Sequence, residues 1–148
     1  MEYTLKESIE YAETGKLESW LHSFLGSAGN NLAFSEGLKL KKRYFSQPIK
    51  VPLSLFSRSC GPEKNLKYIV SKAEFEKRVE QITTRLNNGW DMPPLIVNYS
   101  NGIFELNDGN HRYEALVRKN IKEYYVIFWC TMENEYFELE KYLENLKK

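Results

Sequence analysis

A chain of 148 residues with 42% hydrophobic and 28% charged side chains and a net charge of +1 has the length of about one domain and the composition of a folded one, which excludes disorder. Its longest apolar run, Tyr124–Cys130, falls far short of the roughly 20 residues that a membrane-spanning helix needs. The two cysteines, Cys60 and Cys130, and the two histidines, His22 and His111, exclude a disulfide framework, a four-thiolate zinc site and a histidine-rich metal cluster.

The first 26 residues read as helix. Leu17, Trp20, Leu21, Phe24 and Leu25 share one face, and Gly15 separates them from an earlier helix holding Leu5, Ile9 and Ala12. Gly26–Asn31 is a turn-rich stop, and a short helix through Leu38–Lys42 is one reading of residues 32–47. Pro48–Leu53 alternates and is bounded by proline, as an edge strand does, and Ser57–Asn65 follows as a loop. Phe75, Val79, Ile82 and Leu86 mark a helix, with Ser71 and Glu74 forming a capping box and Asn87-Asn88-Gly89 ending it. Pro94–Tyr99 and Ile103–Leu106 are strands joined by the turn Ser100-Asn101-Gly102. A helix from about His111 to Lys119 leads to Tyr124–Cys130, whose continuous apolar content fits a strand covered on both faces. A last helix carries Met132, Tyr136, Leu139, Leu143 and Leu146 on one stripe. Strands and helices alternating around a hairpin predict a small mixed α/β domain with added terminal helices.

The charge is unevenly laid out. Residues 1–35 sum to −3, residues 36–122 to +7 and residues 123–148 to −3. A middle rich in cations between acidic ends suits a local site for an anionic ligand better than a surface that binds nucleic acid throughout. The chemistry concentrates in Leu106–Leu116, where a strand ends, the chain turns at Gly109 and a helix begins. The first amides of such a helix have no intrahelical partner, and with the dipole behind them they form an anion site. Gly109, lacking a Cβ, lets a phosphate approach the backbone. Arg112 suits a bidentate fork on phosphate oxygens, and His111 a further hydrogen bond or a proton shuttle. Asp108 suits Mg²⁺ or the proton of an attacking hydroxyl. The same residues also fit an ordinary Asp-Gly turn with Asn110 as N-cap and a solvated His-Arg pair. Whether the helix start opens on a cavity separates the two readings.

The run Asp108-Gly109-Asn110-His111-Arg112-Tyr113-Glu114-Ala115-Leu116, preceded by Pro93-Pro94-Leu95-Ile96-Val97, resembles the ParB/sulfiredoxin superfamily over roughly residues 46–130. Residues 1–45 would then be a helical extension and residues 131–148 a C-terminal helix. The resemblance implies a nucleotide (ATP, ADP or CTP) with Mg²⁺, and phosphate contacts from Gly109, Asn110, His111 and Arg112. Asn110 stands where sulfiredoxins carry their catalytic cysteine. The Asp-Gly-x-His-Arg wording is nearest to the free-serine kinases, whose matching aspartate is functional, so the likeness gives Asp108 a catalytic and metal-binding role beside His111. It also places a functional loop at Ser57–Glu63, where Arg58 would reach the phosphates and Glu63 act as a base; a plain proline-glycine turn explains the same residues. Cys60 reads as a packing residue.

The implied function is a nucleotide-dependent phosphotransferase or nucleotide hydrolase with a small-molecule acceptor. The alternative is a non-catalytic, DNA-associated or nucleotide-sensing regulator of the ParB type, touching DNA through Lys39, Lys41, Lys42 and Arg43 beside Tyr44 and Phe45. A nuclease ranks last, since no carboxylate cluster is visible. Met1-Glu2-Tyr3-Thr4 has no signal-peptide pattern, so a reduced, cytoplasmic setting is expected.

Overall fold

The computed structural model describes residues 1–147. Helices α1 (Leu5–Glu13) and α2 (Leu17–Leu25) part at Gly15, whose φ of +74° suits glycine. Thr4 caps α1 by accepting the Glu7 N–H at 3.1 Å. Trp20, Leu21 and Leu25 of α2 are fully buried, and the Trp20 indole N–H donates to Glu7 Oε1 at 2.8 Å. The next helix, α3, is Leu32–Leu38 rather than Leu38–Lys42. Phe34 and Leu38, four residues apart, give it an inward face, whereas Lys39, Leu40, Lys41 and Lys42 are all exposed and offer a helix no apolar anchor.

Two short strands, β1 (Tyr44–Phe45) and β2 (Ile49–Pro52), precede a single 3-10 turn at Leu53–Leu55. The expected loop beyond it contains a ladder that two-residue strands leave invisible in sequence: β3 (Cys60–Gly61) pairs in parallel with β4 (Tyr68–Ile69). Helix α4 (Lys72–Asn87) opens on the expected cap, Ser71 Oγ accepting the Glu74 N–H at 3.4 Å. Strands β5 (Leu95–Ser100) and β6 (Ile103–Asp108) form the hairpin, with Asn101 at φ +52° and Gly102 at φ +76° as its left-handed turn. Then follow α5 (Asn110–Arg118), β7 (Glu123–Cys130) and α6 (Glu133–Leu146). Met132 is the N-cap of α6 and exposed, so the stripe that packs is Tyr136, Leu139 and Leu143.

The main sheet runs β1-β7-β5-β6, with β2 pairing β7 along the edge that β1 also uses. β7 is parallel to β5 and antiparallel to β1 and β2, so the prolines bounding β2 sit on a sheet edge, as the sequence implies. Alternate residues of the two central strands face opposite ways. Ile96 and Ile127 pack against α2 and α3, while Leu95, Val97, Val126 and Phe128 pack with Leu116, Leu139 and Leu143 on the other face. Helices of nine residues are marginal alone, and each buried Leu, Phe or Val contributes about 1.5–3 kcal/mol, so it is burial on the sheet that holds α1 and α2. No helix among the described residues is long and apolar enough to cross a membrane. The N-terminal helices, α4 and the β6–α5 turn converge at one end of the sheet, around a cavity.

Candidate functional site

β6 ends at Asp108, Gly109 turns the chain at φ +103°, and α5 starts at Asn110, its first turn closed by the Tyr113 N–H on Gly109 O at 2.7 Å. The amides of Asn110, His111 and Arg112 have no hydrogen-bond partner among the described residues. Gly109–Arg112 line a cavity of about 680 Å³, within the range of small-molecule sites. The residues of the helix start therefore border a cavity, although Asn110 and Arg112 are themselves buried.

The side chains around it, however, do other work than the sequence predicts. Arg112 is buried, and its Nη1 donates to Pro93 O at 2.6 Å and Pro94 O at 2.9 Å, while Nη2 donates to Asp108 Oδ2 at 2.9 Å. Its guanidinium also lies over the Phe24 ring, 5.5 Å from the centroid. It is a strut tying α5 to the entrance of β5 and to the N-terminal helices, and it has no free fork for a phosphate. Asp108 is buried and engaged at both oxygens, because Asn31 Nδ2 donates to Oδ1 at 3.0 Å. Each oxygen thus already accepts one protein donor, and Asp108 also lines the cavity. Among the described residues no three His, Cys, Asp or Glu side chains converge on a possible metal position. Asn110 is not an N-cap: that position is Gly109, and the Asn110 Oδ1 accepts the Ser59 N–H at 2.8 Å and the Cys60 N–H at 3.1 Å. It locks the β3 loop onto α5, while its backbone N–H and its Nδ2 make no hydrogen bond among the described residues. Gly109 is required by packing, since a Cβ would meet Leu95 Cδ2 at 2.6 Å. The glycine thus admits the core more than it admits a phosphate.

The Ser57–Glu63 loop fares similarly. Arg58 donates to Glu114 Oε1 and Cys60 O, each at 3.0 Å, and pairs with exposed Glu63. Neither Arg58 nor Glu63 lines the cavity, and the two are paired with each other instead. The Arg58 hydrogen bond holds the Glu63 carboxyl below its usual range, in keeping with a surface ion pair. Cys60 does line the cavity, but burial pushes its thiol up against the pull of Arg58 and Arg78, so it is no activated nucleophile. In the Lys39–Arg43 stretch, Arg43 clamps Leu38 O, Gly37 O and Thr131 Oγ1, Phe45 faces the N-terminal core and Tyr44 packs on Tyr136. Phe45 is thus taken up by the core, while the partly buried Tyr44 ring also lies beneath Lys42 Nζ, 5.2 Å from its centroid.

His111 keeps its place. It lines the cavity, packs on Phe75 with ring centroids 4.9 Å apart, and has no hydrogen bond among the described residues. Burial first, then the charges of Arg78, Arg58 and Arg112, push it down to about 4, so at neutral pH it is an uncharged imidazole.

The cations that sequence motifs do not mark are Arg78 and Arg85. Both are on α4, both line the cavity, and neither makes a hydrogen bond or ion pair to a protein group among the described residues. The other four arginines, Arg43, Arg58, Arg112 and Arg118, are all engaged by protein oxygens. Arg85 lies 3.6 Å over the Trp90 ring. The signal in the sequence is positional: Arg78, Ile82 and Arg85 occupy i, i+4 and i+7, one stripe of a helix, and all three line the cavity. No protein-family model matches the chain, and no curated protein matches it.

Proposed function

We propose that the chain binds a nucleoside phosphate in this cavity, in the manner that its resemblance to the ParB/sulfiredoxin superfamily implies, with the phosphates held between the α5 amides and the α4 arginines. The observation that carries the reading is the coincidence of three unpartnered helix-start amides with Arg78 and Arg85, two guanidinium groups that make no hydrogen bond or ion pair to protein among the described residues, in residues that line one cavity. Oriented amides and uncommitted cations together favour an anion far more than either does alone. Of the two modes, sensing without turnover is better supported than phosphoryl transfer or hydrolysis. Asp108, the one carboxylate at the helix start, is engaged by Arg112 and Asn31, and His111 is a neutral imidazole rather than a cation poised over a phosphoryl group.

A thermal-shift panel of ATP, ADP, CTP and GTP, each with and without Mg²⁺, tests binding, since a ligand of the native state raises its stability by RT ln(1 + [L]/Kd). Arg78→Ala and Arg85→Ala should abolish or sharply weaken the shift while leaving the ligand-free Tm nearly unchanged. A phosphate-release assay on the tightest ligand decides turnover. A panel with no response, or arginine variants that respond like the parent, would refute the reading.

A further inference from the structure

The cavity has a second wall that the superfamily-like core does not supply. Residues of the N-terminal segment and the turn between α2 and α3 line it, among them Tyr3, Asn30, Asn31 and Phe34, together with the cationic residues of α4 and the start of α5. This wall is fixed in place. Asn31 reaches across to Asp108, the Leu5 N–H donates to Asp91 O at 3.3 Å, the Lys6 N–H donates to Asp91 Oδ2 at 2.9 Å, and Phe34 packs on Trp129 with centroids 6.0 Å apart. Helix α2 beneath it is buried against the sheet. The N-terminal segment is thus part of the fold and cannot swing aside as a lid without exposing Trp20, Leu21 and Leu25.

Two groups on that wall, Asn30 and Phe34, present chemistry suited to a ligand. Asn30 is exposed in a turn at φ +47°, a state that asparagine adopts more readily than most residues, and its side-chain amide makes no hydrogen bond among the described residues. Phe34 is only partly buried and lines the cavity. An apolar ring beside a free carboxamide is the chemistry that recognises a planar group with polar edges: one offers a face to stack on, the other a donor and an acceptor at fixed spacing.

Resting on the phosphate-binding reading above, we infer that the N-terminal helices form the specificity wall of the site, with Phe34 and Asn30 contacting the planar heteroaromatic part of the ligand while the α4–α5 side holds its phosphates. Ligand selectivity then belongs to residues 1–45, outside the stretch that resembles other proteins, and phosphate affinity to the core.

Calorimetric titration of inorganic tripolyphosphate and of the tightest-binding nucleoside triphosphate separates the two halves of the site. The variants are Phe34→Leu, which keeps an apolar side chain on Trp129 but removes the ring, and Asn30→Gly, which suits the positive φ but removes the amide. Both should bind tripolyphosphate like the parent and lose about tenfold in affinity for the nucleotide. They should also narrow the difference between nucleotides with different bases. Nucleotide affinity unchanged in both variants would overturn the inference, as would equal losses for tripolyphosphate and nucleotide. Tripolyphosphate failing to bind the unaltered chain would overturn the phosphate reading and this inference with it.

Discussion

Replacing Arg112 by alanine removes its three hydrogen bonds at once, to Pro93 O, Pro94 O and Asp108 Oδ2, and leaves the buried Asp108 carboxylate with only the Asn31 amide. Removing one partner of a buried charge pair costs about 3–5 kcal/mol, and a buried carbonyl that loses its donor about 1–3 kcal/mol. These contributions overlap, because water that enters the space left by the guanidinium serves several of them, so a loss of about 4 kcal/mol is expected. For a chain of this length that corresponds to a Tm lower by about 10 °C. Urea unfolding of the parent, Arg112→Ala and Arg112→Ala/Asp108→Asn measures it. The second change removes the stranded charge and should recover at least about 1 kcal/mol of the loss. A loss below about 1 kcal/mol in Arg112→Ala, together with abolished phosphate binding, would return the guanidinium to the ligand site and refute the strut.

Gly109→Ala should destabilise by about 1–3 kcal/mol, seen as a lower urea midpoint, because a Cβ at φ +103° would lie 2.6 Å from Leu95 Cδ2. Asn110→Ala takes the shared acceptor from the Ser59 and Cys60 amides; hydrogen exchange should accelerate at those two residues with no change in α4, at a cost of about 2 kcal/mol. For His111, neutral in the fold down to about 4 and with an ordinary value of 6.5 once unfolded, the stabilising contribution is complete above pH 6.5 and is lost as the pH falls towards 4. After allowance for the ring's partial exposure this amounts to about 2 kcal/mol, and His111→Asn should lack that component of the acid dependence.

What could be read in advance followed from patterns of short range. The α2 stripe, the Ser71 cap, the Asn101-Gly102 turn and the apolar β7 each announce their structure within a dozen residues, through periodicity or turn chemistry. The β3–β4 ladder and the true extent of α3 depend on partners distant in sequence, and two-residue strands or a seven-residue helix leave too little pattern to find. The strand-turn-helix at Asp108–Arg112 was legible as a local shape, and its residues border a cavity, as an anion site requires. The roles of its side chains were not legible, because each is set by a group elsewhere: Pro93 and Pro94 for Arg112, Asn31 for Asp108, the Ser59 and Cys60 amides for Asn110. Nothing in the Asp-Gly-Asn-His-Arg run reports which of its polar groups will find a protein partner first.

An arginine in the first turn of a helix sits against the positive end of the dipole, and from sequence alone its presence is accounted for by an anionic ligand. The fold accounts for it differently. Asp108, four residues earlier, supplies the negative charge, and the proline carbonyls take the other donors, so Arg112 and Asp108 largely cancel within the fold. On the proposed reading, the potential that a phosphate would meet is set by the helix-start amides and by Arg78 and Arg85, with His111 adding no charge at neutral pH. On that proposal, stability and affinity are therefore assigned to different arginines. In a site built on Arg112 the two would be lost together, because any motion of that guanidinium towards a ligand would release Asp108 and the entrance to β5. In a site built on α4, a long exposed side chain can close on an anion while every buried hydrogen bond of the β6–α5 junction stays made.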